Sequence, residues 1–180
     1  FATGATPWSI QSADFNNDGN ADFVVANADS NTVSLFLGNG GLGFTTSTFS
    51  SGGTRPRGIE IGDFNSDSLP DVVVTNAESS SVQFLMGTGA GFAAGTNVGV
   101  FGAHGVVTGD VNADGHEDAV VIQAIGPAGS VTSLLSDGLG GISGTSTATT
   151  GDTYPLAASL DDFDNDGDQD LVVSHGSGSG

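Results

Sequence analysis

Four nine-residue segments of this 180-residue chain place oxygen-bearing side chains at alternate positions: DFNNDGNAD from Asp14, DFNSDSLPD from Asp63, DVNADGHED from Asp110 and DFDNDGDQD from Asp162. Oxygens converging from one tight loop suit a hard cation, since Ca2+ takes about six to eight of them at roughly 2.3–2.6 Å. Glycine at the sixth place permits a sharp turn, and the seventh place offers a backbone carbonyl. The predicted ligand sets are Asp14, Asn16, Asp18, Asn20 (carbonyl) and Asp22, then Asp63, Asn65, Asp67, Leu69 (carbonyl) and Asp71. The third set is Asp110, Asn112, Asp114, His116 (carbonyl) and Asp118, and the fourth is Asp162, Asp164, Asp166, Asp168 and Asp170. An Asx-rich turn would explain one such loop. Four aligned loops hold 15 of the 21 acidic residues, 14 of them Asp, and carboxylates so crowded repel until a divalent cation gathers them. Three to four Ca2+ ions are expected. The second loop is the weak member, because Ser68 replaces the glycine and Pro70 stiffens the exit.

The loops recur within a longer repeat. Their starts lie 49, 47 and 52 residues apart. Pro7, Pro56 and Pro155 each stand seven residues before the first Asp, with Ala103 in the third copy. After each loop comes a Val-rich run, such as Val72-Val73-Val74 or Val120-Val121-Ile122, and the first three copies continue into the glycine turns LGNGGLGF, MGTGAGF and LSDGLGGI. A small insertion around Ile125-Gly126-Pro127 accounts for the third copy's offset. Thirty Gly and few Lys, Glu or Gln make a poor helix inventory, and no segment sustains a 3.6-residue period. Short β-branched runs bounded by Asp, Asn and Gly read as strands between tight turns. Four strands per unit at a period of about 40–50 residues is the signature of a propeller blade.

The expected fold is therefore all-β, with about 3.5 four-stranded blades forming a partial propeller or one completed by another chain. Residues 1–180 form one domain, with units at about 7–53, 54–100, 101–152 and a partial 153–175, followed by a Gly/Ser tail at 176–180. Phe15, Phe64 and Phe163, with Val111 in the third copy, are expected to be buried between blades, because strand alternation turns them away from the loop oxygens.

The loops, the DxVVxN strands that follow and the LGxGxGF turns resemble the FG-GAP/VCBS repeat family, whose calcium-loop blades also build integrin α-subunit propellers. The likeness covers essentially the whole chain. It implies a propeller, usually seven-bladed, with Ca2+ between the first and second strands of a blade, in secreted or cell-surface proteins. Such repeats serve as adhesion, carbohydrate-binding or scaffold modules and as accessory domains beside enzymes.

Composition narrows the partners. Two Arg, no Lys and a formal charge of −19 leave no basic surface for nucleic acid or an anionic membrane. No apolar run approaches the roughly 20 residues of a spanning helix. Zero Cys excludes disulfides, thiol catalysis and Cys-based zinc sites. His104, His116 and His175 have no Ser partner at recognisable spacing, and the Asp are better used as metal ligands, so no enzymatic activity is expected. One place breaks the repeat. Six residues before each loop stand Trp8, Arg57, His104 and Leu156, large and chemically distinct where everything around them recurs. In a propeller this place falls near the central axis, so Trp8, Arg57 and His104 are ligand-face candidates, with Tyr154 able to stack on a sugar.

The expected function is a non-catalytic, Ca2+-stabilised extracellular module for adhesion, scaffolding or filament assembly. A lectin-like carbohydrate-binding module, or an accessory domain of a secreted polysaccharide-active enzyme, is the alternative. A chain that starts at Phe1 is expected to be a processed or excised piece. Exposed blade edges further imply a homo-oligomer or the continuation of a longer array.

Overall fold

In each four-stranded sheet the Val-rich run forms an inner strand. The computed structural model describes residues 1–124, 129–151 and 154–176. The Ile125-Gly126-Pro127 insertion and residues 177–180 of the tail lie outside the described residues. The first sheet joins β1 (Pro7–Ala13), β2 (Asp22–Asn27), β3 (Thr32–Gly38) and β4 (Phe44–Ser50) in chain order. The second joins β5 (Pro56–Gly62), β6 (Asp71–Asn76), β7 (Ser81–Gly87) and β8 (Phe92–Gly99). The third joins β9 (Ala103–Gly109), β10 (Asp118–Gln123), β11 (Ser130–Ser136) and β12 (Ile142–Thr149). A two-stranded sheet of β13 (Pro155–Asp161) and β14 (Asp170–His175) follows. Every pairing is antiparallel. This is an all-β, open propeller-like repeat fold.

Burial explains the sequence of each strand. All six residues of β6 are buried, so it reads as a continuous apolar run rather than an alternation. The outer strand β4 (FTTSTFS) has no buried residue and is rich in Ser and Thr. The hydrophobic core lies between sheets. Phe15, Val24, Val33 and Leu35 of the first sheet pack on Ile59, Val72 and Val74 of the second. Phe64, Val73 and Phe84 of the second pack likewise on Val106, Val121 and Leu134 of the third. Polar bonds reinforce the stacking: Phe64 O accepts Gly140 N at 3.0 Å and Ser136 Oγ at 3.0 Å, and Thr108 Oγ1 donates to Ile61 O at 2.9 Å.

Phe15 and Phe64 are 3% and 1% exposed, but Phe163 is 52% exposed, contrary to expectation. The reason is positional. The Phe that follows the first loop Asp packs on the next sheet in the chain, and no described strand lies against that face of β13 and β14. Val111, which packs toward that incomplete sheet, is half-buried.

Candidate metal centres

Each Asp loop connects the first strand of a sheet to the second, and all four close by the same hydrogen bonds. The first Asp takes the amide of the fifth residue on Oδ1 and that of the sixth on Oδ2. For Asp14 these bonds are 3.0 and 2.7 Å, for Asp63 3.1 and 2.9 Å, for Asp110 3.1 and 2.8 Å, and for Asp162 3.1 and 3.1 Å. The third side chain (Asn16, Asn65, Asn112 or Asp164) turns Oδ1 to the same fifth amide at 3.0–3.1 Å. The fifth Asp accepts the amide of the seventh residue at 2.8–3.0 Å, which holds the carboxyls of Asp18 and Asp114 below the usual range.

Two left-handed residues make this winding possible. The fourth place is left-handed in every copy, at Asn17, Ser66, Ala113 and Asn165, and the sixth place is Gly19, Gly115 and Gly167 in three of them. Ser68 takes the sixth place in the second loop at φ 66°. Its amide still reaches Asp63 Oδ2, so the substitution costs backbone strain of about 1–2 kcal/mol without opening the loop.

The ninth Asp has a different setting. Asp22, Asp71 and Asp118 are buried. Their Oδ2 atoms accept the amides of Phe15, Phe64 and Val111 at 2.8, 3.0 and 3.1 Å. Their Oδ1 atoms accept Gly38, Gly87 and Ser136 amides at 2.7, 2.6 and 2.8 Å. Each carboxylate therefore staples its loop to the exit of the third strand. A Cβ at Gly38 or Gly87 would sit 2.5 Å from a backbone carbonyl oxygen, which keeps both places to glycine. Burial pushes the Asp71 carboxyl up to about 6, and Asp118 moves in the same direction for the same reason. Asp170 accepts only the Phe163 amide, at 3.2 Å, among the described residues.

The donor set fits a hard cation. Carboxylate oxygens of Asp162, Asp164 and Asp166 all lie within 4.8 Å of one another, the greatest separation available to oxygens that share an ion at about 2.4 Å. In the other loops the Asn amide relieves the crowding by donating to the fifth Asp at 3.0, 3.1 and 2.9 Å. Only oxygen donors converge. One acidic residue escaped the spacing argument: Glu117, at the eighth place of the third loop, reaches back to accept the Asp63 amide of the second. His116 Nδ1 lies 3.3 Å from Ser66 Oγ and joins the same two loops.

At the opposite end of the first strands, six residues and roughly 20 Å away, lie the places that break the repeat. Trp8, Arg57, His104 and Leu156 each occupy a register shift between the first and second strands, bounded by Pro7/Ser9, Pro56/Ile59, Ala103/Gly105 and Pro155/Ala157. The extra residue of a bulge is unpaired and its side chain is re-aimed. Arg57 and His104 come together in one groove of about 380 Å³, beside Arg55, Glu78, Tyr154 and Leu156. Trp8 stands apart in an apolar hollow with Ile10 and Phe23, its ring 4.8 Å beneath the Arg57 guanidinium. Arg55, two residues before Arg57 and not singled out by the repeat pattern, also lines this groove, from a left-handed backbone, φ 57°.

A family model for the FG-GAP-like repeat matches the chain three times, over residues 14–74, 63–121 and 110–173. No curated protein matches it.

Proposed function

From its membership of the FG-GAP-like repeat family, to which the chain belongs over most of its length, we propose a calcium-stabilised extracellular module for adhesion or assembly. Repeats of this family are typically non-catalytic and occur in extracellular or surface proteins, often with bound Ca2+. The observation that carries the proposal is the fourfold recurrence of one oxygen-lined loop with one set of hydrogen bonds. Asp14, Asn16 and Asp18, and their equivalents in the other three loops, would hold the ion. The seventh-place carbonyls (Asn20, Leu69, His116 and Asp168) and the ninth Asp complete the donor set. When bound, the ion supplies charge neutralisation between the first and second strands, so binding becomes folding energy. Four ions would bring the formal charge of −19 to −11.

Thermal melts in EGTA and in millimolar Ca2+ test this directly. A higher Tm in Ca2+, with Mg2+ less effective, is the expected result. An unchanged Tm would overturn it. Assembly with like blades, from a second copy or a longer array, is the second part of the proposal. It is supported by the apolar faces left open at both ends: Ile10 is 60% exposed where its equivalent Ile59 is 1%, and Phe163 is 52% exposed where Phe64 is 1%.

A further inference from the structure

A chain with 21 acidic residues and only two arginines puts both arginines on one groove, at the end of the sheets away from the Asp loops. Arg55 Nη1 donates to Glu78 Oε1 at 2.9 Å, the one ion pair among the described residues. Arg57 has no carboxylate partner among the described residues. Its guanidinium lies over Trp8, and its Nε is buried without a hydrogen-bond partner.

The backbone is built to present these side chains. Arg57 and His104 each sit at a bulge. Two residues before each bulge the backbone is left-handed in every repeat, at Thr6, Arg55, Gly102 and Tyr154, with φ 54°, 57°, 73° and 59°. The fold accepts glycine there. This left-handed place belongs to the repeat, and it brings Arg55 and Tyr154 onto the groove. Tyr154 and Leu156 are more than half exposed on the groove, and Ala77, Ala103 and Ala124 supply an apolar lining.

We propose that this groove binds a carboxylate-bearing saccharide of the uronate type, with Arg57 and His104 on the carboxylate and Tyr154 against the sugar ring. A guanidinium fork matches a carboxylate's two oxygens. An aromatic face with a few fixed polar groups is the usual make-up of a small-ligand site, and about 380 Å³ is within the range of such sites. Charge favours a monoanion: Glu78 pairs with Arg55, Arg57 has no carboxylate partner among the described residues, and burial together with Arg57 lowers the His104 pKa, so the groove is not built for a phosphate dianion.

The chain's single Trp reports on the site, because the Arg57 guanidinium that would engage the ligand lies over its ring. Galacturonate and glucuronate are titrated while Trp fluorescence is followed, with calorimetry in parallel. Galactose (ring without carboxylate) and acetate (carboxylate without ring) serve as probes of each half. Saturable uronate binding, at least about tenfold stronger than either probe, is expected. Arg57→Gln should weaken uronate binding about tenfold with an unchanged Tm, and Tyr154→Ala should weaken it severalfold. No saturable response to either uronate up to about 10 mM, or acetate or galactose binding as well as uronate, overturns the proposal. So does full binding by Arg57→Gln. None of these outcomes depends on whether the Asp loops take calcium.

Discussion

Asp164 stands where the other three loops carry Asn, and that single difference sets how each loop behaves without metal. An Asn at this place donates to the fifth Asp. A carboxylate cannot, so Asp162, Asp164 and Asp166 face one another within 4.8 Å. Asp164→Asn should therefore raise the Tm in EGTA while weakening the fourth loop's Ca2+ affinity, read by melting and by calcium titration. A lower Tm in EGTA would contradict the repulsion argument. The buried carboxyls give a second prediction. Asp71 is raised to about 6 from 3.8, and burial raises Glu60 too. A group whose folded value is raised contributes stability that is complete below its unfolded value and lost as pH rises through the folded one. Calcium-free protein should thus become more stable as pH falls from about 7 toward 4. Asp18, Asp114 and Asp137 are lowered and oppose this only below about 3.8. Denaturant unfolding in EGTA across that range checks the sign, and Asp71→Asn should flatten the slope.

The loop and the strand pair it joins act as one element. The ninth Asp fixes the loop's second residue and the third strand's exit at once, so the Phe beside the first Asp is held at the inter-sheet face. Phe64 packs there edge-to-face on Phe84, ring centroids 4.9 Å apart, and its carbonyl accepts two bonds from the third sheet. Phe64→Ala should cost about 3–5 kcal/mol through the cavity it leaves. Phe163→Ala, at the equivalent but exposed place, should cost less than about 1 kcal/mol when measured on the dissociated monomer. Equal costs in chemical denaturation of the monomer would mean that the fourth sheet buries Phe163 as the second buries Phe64.

Across the described residues, the sheets stack through three successive interfaces, the last with the two-stranded sheet, and leave an open face at each end. The faces are complementary by construction, since Ile10 and Phe163 are equivalent to the buried Ile59 and Phe64. Joining the last face of one copy to the first face of another is a head-to-tail contact, which closes a ring or extends a filament according to the rotation. Light scattering of this chain in calcium should show species larger than a monomer. Ile10→Asp combined with Phe163→Asp should return it to a monomer without loss of fold. A strictly monomeric wild-type chain would end the assembly proposal.

Much of this was legible in the residues themselves. The repeat, the four-strand unit, the continuous Val runs and the sixth-place glycines are local, because strand alternation and loop winding depend on neighbours a few positions away. Trp8, Arg57, His104 and Leu156 could also be picked out as the place that breaks the pattern. Why that place is free to vary was not visible: it is a bulge, and a register shift belongs to two strands rather than one. The same holds for Glu117 reaching the preceding loop, for Arg55 entering the groove, and for the exposure of Phe163. Each depends on which sheet stacks on which, between segments about 50 residues apart in the chain. Spacing within one repeat determined the loop chemistry, and only the stacking of the sheets decided which side chains meet across them.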